Sequence, residues 1–139
     1  MEGYSVNIKF ASKELSAKQK VMLKDTTNAL SLDELTQPKP ITNEEGEVIR
    51  LEPQTVTIDP DFYVTLMVHN EKAEDKDYEK HVIEDKSGTK YVTGSASFIT
   101  SFVEIMEEMS GSDEEFQIEV YRMPSKNYKG KEFLTCSIV

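Results

Sequence analysis

The spacing of the apolar residues constrains the fold of this chain more than any other feature, because one segment with helical spacing lies between segments with strand spacing. Apolar residues alternate with more polar ones from Phe62 to His69, as in a half-buried strand. From Phe98 to Met109 they recur instead at helical spacing, with glutamates on the other side. Ser95 or Ser97 can cap this helix at its start, and Gly111 can end it. The pattern therefore predicts one amphipathic helix in a chain built mainly of strands.

Strand patterns flank this helix on both sides. Before it, Lys80–Asp85 and Thr89–Thr93 are joined by the turn Lys86-Ser87-Gly88, which predicts a hairpin. After it, Phe116–Val120 and Phe133–Val139 predict a second hairpin with a long loop. From residue 61 onward the predicted order is strand, strand, strand, helix, strand, strand.

That order is the one found in the OB-fold, a five-stranded Greek-key barrel with its helix between strands three and four. We therefore expect a mainly β, α+β chain whose residues 61–139 form an OB-fold barrel. Residues 1–60 are expected to be an N-terminal extension or arm. Within it, Ser5–Phe10 predicts a strand, Ser16–Leu23 a short helix capped by Ser16, and residues 37–46 a loop.

The length and the cysteine content favour one domain in a reducing compartment. A chain of 139 residues can bury a working core without disulfides, and the lone Cys136 lies in an apolar run typical of a core. The first ten residues contain no apolar signal segment, and no stretch has the eighteen apolar residues of a membrane helix. We expect a cytoplasmic protein with no membrane contact.

Motifs of catalysis are missing from the sequence. His69 and His81 are the only histidines, and neither has a histidine or cysteine at zinc-ligand spacing. No phosphate-binding glycine loop or nucleophile-elbow motif occurs, and the many carboxylates single out no acid–base pair. We expect a binding protein rather than an enzyme, with no cofactor and no metal.

The charge is distributed unevenly. The formal net charge is -10, but residues 1–24 hold five lysines against two glutamates, and residues 121–133 hold four basic residues against Glu132. Acidic residues are concentrated between Asp25 and Val120. Because phosphates are bound through lysine and arginine, only the two basic ends favour a nucleic-acid partner. The acidic middle favours the alternative, a basic protein partner.

The segment from Tyr121 to Phe133 interleaves basic and aromatic residues on the predicted second hairpin. Single-stranded nucleic acid is bound by cations that follow the phosphates and by rings on which bases stack. The candidate contacts in this segment are Arg122, Lys126, Asn127, Tyr128, Lys129 and Lys131. The alternative is a solvated hairpin in which Tyr121 and Phe133 pair across the strands.

Further candidates lie elsewhere. Lys90, Tyr91 and Tyr78 could extend the same binding face, although tyrosines at strand ends are more often half-buried packing residues. The basic residues of the first 24 positions suggest a second contact surface, or an arm through which the protein self-associates.

The stretches Tyr91–Phe98 and Met123–Cys136 resemble small proteins encoded on conjugative plasmids, integrative elements and phages of Gram-positive bacteria. The resemblance is to the PrgE-like single-stranded DNA-binding proteins. It implies an OB-fold that binds single-stranded DNA during transfer or replication of the element. It also implies an N-terminal tail that contacts a neighbouring subunit.

Three hypotheses follow from the sequence, of which the third, a small enzyme, has the least support because no catalytic motif is present. The first is a sequence-tolerant binder of single-stranded DNA, with RNA left open as a ligand. The second is an acidic interaction module, a DNA mimic or inhibitor that binds a basic protein.

Overall fold

The computed structural model describes residues 3–139, which divide into two compact units. Unit 1 comprises residues 3–31 and Asp59–Gly94, and unit 2 comprises Leu32–Ile58 and Ser95–Val139. Each unit is assembled from two separate stretches of chain. Residues before position 60 therefore contribute to both units.

Ten strands and three helices make up the described chain. In chain order they are β1 (Tyr4–Ala11), α1 (Ala17–Lys24), β2 (Leu30–Ser31), α2 (Leu32–Leu35), β3 (Lys39–Thr42), β4 (Val48–Glu52), β5 (Val56–Ile58), β6 (Pro60–Asn70), β7 (Asp77–Asp85), β8 (Lys90–Thr93), α3 (Ala96–Ser110), β9 (Ile118–Pro124) and β10 (Glu132–Ile138).

Unit 1 is a five-stranded sheet with α1 on one face. The strand order is β1-β6-β7-β8-β2, antiparallel except for the parallel pair of β8 and β2. Leu23 of α1 packs in a cluster with Val82 of β7 and with alternate residues of β6, of which Val64 and Leu66 are fully buried. A capping box starts α1: the Ser16 hydroxyl accepts from the Gln19 amide, and the Gln19 side chain accepts from the Ser16 amide. The predicted Ser16 cap is confirmed.

The two histidines of unit 1 occupy opposite environments. His69 is exposed, and its ring lies between two carboxylates, with Asp77 Oδ1 2.8 Å from Nδ1 and Glu71 Oε1 2.7 Å from Nε2. These hydrogen bonds raise the pKa of His69. His81 is buried, and loss of hydration lowers its pKa. Its Nδ1 lies 2.9 Å from the hydroxyl of Thr65.

We expect the two histidines to titrate on opposite sides of their ordinary pKa of 6.5. An NMR titration of the ring protons should place the His69 midpoint above this value and the His81 midpoint below it. The stabilising contribution of His69 is complete below pH ~6.5 and is lost as the pH rises through the folded-state pKa. His81 acts in the opposite sense, because the unfolded state binds its proton more readily and stability falls as the pH drops below ~6.5. Midpoints in the reverse order would contradict both assignments.

Unit 2 contains a three-stranded sheet, a two-stranded sheet and α3. The three-stranded sheet has the order β10-β9-β5, and β3 pairs with β4 alone. The Ser95 hydroxyl caps α3 by accepting from the Phe98 amide, and Gly111 ends the helix. Phe98 and Phe102 are fully buried with their ring centroids 5.5 Å apart. The predicted amphipathic helix is therefore confirmed, and it contacts β10 through a hydrogen bond from Ser97 Oγ to the Leu134 carbonyl.

The predicted five-stranded barrel is wrong. Over residues 3–139 the chain is mainly β, as expected, but this part has three helices and three sheets, and none of these sheets closes into a barrel. Closure would require the five strands predicted after residue 60 to pair in one continuous ring. Instead β6, β7 and β8 belong to one sheet, and β9 and β10 to another. Strands from the first sixty residues occupy the outer edges, β1 on β6 and β5 on β9.

Two local predictions also need correction. The prolines of residues 37–46 predict a loop, but Lys39–Thr42 forms β3 and pairs with β4. Pro40 fits there because a two-stranded sheet has free edges, where no amide is required. The alternation in β6 predicts one solvated face, but Tyr63 and Thr65 on that face are buried too.

Cys136 on β10 is buried, as its apolar surroundings predict. Burial raises the pKa of its thiol to about 12. Because the thiolate is the reactive form, we expect a thiol reagent such as Ellman's reagent to label the native protein slowly and the denatured protein fully. Equally fast labelling of the native and denatured chains would contradict the buried assignment.

Candidate nucleic-acid interface

Six of the predicted contact residues lie on the hairpin formed by β9, β10 and the loop of residues 125–131. The loop is closed at its base by a hydrogen bond from the Ser125 amide to the Lys131 carbonyl, 2.8 Å long. At its tip the Lys131 amide donates to the Tyr128 carbonyl, and Gly130 has a φ of 80°. This combination is typical of a type II turn, which needs glycine at that position. The sequence Tyr128-Lys129-Gly130-Lys131 therefore folds locally into a defined turn.

The loop presents its side chains to solvent. Lys126, Asn127, Lys129 and Lys131 are all exposed, and Tyr128 has 69% of its surface accessible. Within residues 3–139 none of the three lysines forms an ion pair. The loop thus holds three cations and one aromatic ring close together, all available to a ligand.

Arg122 is engaged differently from the lysines. Its guanidinium donates from Nη2 to the Asp33 carbonyl at 2.7 Å and from Nε to the Thr36 hydroxyl at 3.1 Å. Thr36 is buried, and its own hydroxyl donates to the Leu32 carbonyl at the start of α2. Arg122 therefore ties the hairpin to α2, and these two hydrogen bonds fix its guanidinium inside unit 2 with two of its five N–H donors. The sequence predicts only that Arg122 contacts a nucleic-acid phosphate, and it does not indicate this structural role within unit 2.

The outer face of the hairpin carries an apolar surface that sequence reasoning missed. Met123 lies opposite Phe133, and Tyr121 lies opposite Thr135. These side chains share a face because facing residues of an antiparallel pair point the same way. Met123 and Phe133 are 43% and 37% exposed, so Phe133 is not a core residue. Nor does it pair with Tyr121, as the solvated-hairpin alternative requires. The sequence signal for this face is alternation along β9. Tyr121 and Met123 are one and three residues after the buried Val120, so they point to the opposite face of the strand.

The remaining three predicted residues lie in unit 1. Tyr78 belongs to β7 rather than to a loop, and Lys90 and Tyr91 are consecutive in β8. Consecutive strand residues point to opposite faces, so Lys90 and Tyr91 cannot share a face. Lys90 pairs with Glu84 of β7, so these two side chains share a face. Tyr78 is six residues before Glu84 in β7, an even number, and therefore lies on that same face. All three are half-buried, and burial raises the pKa of Tyr91.

Comparison with known proteins identifies no relative: no family model, no curated protein and no solved structure matches this chain. Among residues 3–139, no group of three or more histidine, cysteine or acidic side chains is arranged to hold a metal ion. No helix in the same range combines the length and the apolar character needed to cross a membrane.

Proposed function

We propose that this protein binds single-stranded nucleic acid, with DNA as the expected ligand, through the β9–β10 hairpin. The observation that carries the proposal is the exposed set of Lys126, Lys129 and Lys131 around Tyr128 on one defined turn. None of these lysines has an ion-pair partner within the described chain. Exposed cations beside an exposed ring are what an unpaired, negatively charged strand requires.

The hairpin offers separate contacts for the two parts of a nucleotide. The lysines follow the phosphates, while Tyr128 receives a base by stacking, a contact worth roughly 1–3 kcal/mol. The apolar face of Met123 and Phe133 extends the surface available to unpaired bases. In a duplex the bases are already stacked on one another, so we expect duplex DNA to compete poorly.

The net charge of -10 opposes approach to a polyanion, but this repulsion is screened beyond a Debye length of about 8 Å at physiological salt. At contact, the local lysines of the loop dominate. Each phosphate neutralised on a single strand contributes about -0.7 to the logarithmic salt slope. Because Arg122 is bonded to α2, we count three loop cations and expect a slope of about -2 from this hairpin.

The test is a fluorescence anisotropy titration of a labelled ~30-nucleotide oligo-dT at ~50 and ~200 mM salt, with duplex competitor. Saturable, salt-sensitive binding that duplex displaces weakly supports the proposal. An absence of binding at the lower salt overturns it. An oligo-U probe of the same length decides between DNA and RNA, which are told apart by the 2′-hydroxyl. A role in transfer or replication of a mobile element stays a prediction from the resemblance.

An acidic interaction surface is the second candidate function. The end of α3 and the residues after it expose five carboxylates in a short stretch: Glu107, Glu108, Asp113, Glu114 and Glu115. Such a surface attracts a basic protein partner. Under this alternative the protein fails to bind oligo-dT at low salt and captures a basic protein, and neutralising these five residues abolishes the capture.

A further inference from the structure

Unit 1 contains an open groove that the proposed hairpin site does not use. It has a volume of about 620 Å³, within the range of ligand-binding clefts, roughly 300–1,000 Å³. The end of α1, the segment after it and the turn between β7 and β8 form its walls. The lining residues are Val21, Met22, Asp25, Asn28, Leu30, Gly88, Thr89 and Lys90. We refer to it as the α1 groove.

The apolar part of the α1 groove is exposed to solvent. Val21, Met22 and Leu30 have 72%, 50% and 44% of their surfaces accessible. Val21 lies on the side of α1 opposite the core residue Leu23, and Met22 lies to one side of it, about a quarter of a turn from Leu23. Three apolar side chains therefore line one groove in contact with water.

Unpaired lysines border this apolar surface. Lys18 precedes Val21 by three residues and Met22 by four, so it lies on the same face of α1. Lys90 lines the groove from β8. Neither lysine forms an ion pair within residues 3–139, whereas Lys13 and Lys86 of the same unit are paired with aspartates. Lys90 lies near enough to the Asp25 carboxylate of the same groove to help lower its pKa, so part of its charge is offset. Lys18 adds a second positive charge, and the two lysines together leave the groove region net positive, which is complementary to a polyanion.

Polar groups in the α1 groove can meet the edge of a base. Asp25 Oδ1 accepts from the Thr27 amide at 3.0 Å and from the Thr27 hydroxyl at 2.6 Å. These bonds lower the pKa of Asp25, which keeps the carboxylate ionised. Its other oxygen can accept from the amino group of a base, and the Asn28 amide can donate and accept.

We propose that the α1 groove is a second contact surface for single-stranded nucleic acid. The inference rests on the proposed function and deepens it. Unpaired bases lie against Val21, Met22 and Leu30, and the neighbouring phosphates contact Lys18 and Lys90. Apolar side chains can pack on an unstacked base, which a duplex does not offer, and lysines beside them contact the phosphates.

The test compares the double variant Lys18→Glu/Lys90→Glu with a matched control, Lys20→Glu/Lys72→Glu. Lys20 lies on the same helix, turned away from the groove, and both variants carry the same net charge. With ~30-nucleotide oligo-dT we expect the groove variant to bind roughly tenfold more weakly than the control. Its logarithmic salt slope should be smaller by about 1.4, which corresponds to two phosphate contacts.

A second variant tests the apolar wall without changing charge. Met22→Ser should weaken oligo-dT binding several-fold and leave the salt slope unchanged, because the lysines that meet the phosphates are kept. Met22 is half exposed, so we expect this variant to fold, and its circular dichroism spectrum should match that of the wild type. Unchanged affinity in this variant would contradict the binding of bases in the groove.

The outcomes separate this inference from the proposed function. If the wild-type protein binds oligo-dT and only hairpin variants weaken it, the α1 groove is excluded while the proposed function stands. If the wild-type protein does not bind oligo-dT at all, both are overturned. Vesicles rich in phosphatidylserine provide the remaining comparison. Vesicle binding that needs Lys18 and Lys90, together with unchanged oligo-dT affinity, would assign the groove to an anionic membrane surface and overturn the nucleic-acid assignment.

Discussion

Replacing Phe102 with alanine is expected to remove about 3–5 kcal/mol from the free energy of unfolding. The side chain is fully buried in α3, and its ring stacks on that of Phe98 at a centroid distance of 5.5 Å. Alanine loses the transfer energy of the ring and leaves a cavity that rigid neighbours fill only partly. Because domains are stable by only about 5–15 kcal/mol, this is a large fraction of the total.

Urea and thermal unfolding followed by circular dichroism measure this effect. The matched control is Glu104→Ala, which changes an exposed residue two positions along the same helix and should shift stability by less than about 0.5 kcal/mol. Comparable stability of the two variants would show that α3 does not bury Phe102 in the core of unit 2.

Reversing the charge of Lys126, Lys129 and Lys131 together is expected to lower affinity for oligo-dT roughly 100-fold at ~50 mM salt. Each exposed ionic interaction with a phosphate is worth about 1 kcal/mol, and 1.4 kcal/mol corresponds to a factor of ten in affinity. The hairpin should keep its shape, because its turn is held by backbone hydrogen bonds and Gly130 rather than by lysine side chains. The remaining binding should lose most of the salt dependence that the hairpin contributes.

The control protein carries the three substitutions Lys72→Glu, Lys76→Glu and Lys86→Glu. Three reversals take the net charge from -10 to about -16 in both proteins, so a general repulsion would affect them equally. The ion pairs broken in the control, Lys76 with Glu71 and Lys86 with Asp59, are exposed and stabilise little. Equal reductions of affinity in the two proteins would show that the hairpin is no specific site.

Arg122 shows where prediction of the site from sequence stops. It lies beside the lysines in the chain and belongs to the same basic segment. Its partners, Thr36 and the Asp33 carbonyl, are 86 and 89 residues away in sequence. No local pattern indicates such an interaction. The loop lysines differ because exposure at a glycine-containing turn is a local property, readable from the residues themselves.

The apolar outer face of the hairpin was equally hidden. Phe133 could have been a core residue or an exposed one, because Leu134 and Cys136 beside it are buried. The alternation of side chains along a strand can be read from the sequence. Which of the two faces is buried depends on the elements that pack against the strand. The register of β9 against β10 placed Met123 opposite Phe133 and left both exposed.

The sequence by itself determined the short-range structure. The spacing of Phe98 and Phe102 and the serine before them specified α3, and Ser16 with Gln19 specified the start of α1. Alternation located the strands from β6 onward, and glycines marked the turns between them. All of these signals act between residues a few positions apart, where backbone preference, capping and amphipathic period decide the outcome.

Only the tertiary structure decided how the strands are partnered. Tyr4 pairs with Asn70, and Ile58 pairs with Ile118, so strands from the first sixty residues complete both larger sheets. An open strand edge accepts any strand with compatible register, because its amides and carbonyls are the same whatever the side chains. Sequence order alone therefore suggested one barrel. Competition among distant edges produced three separate sheets instead.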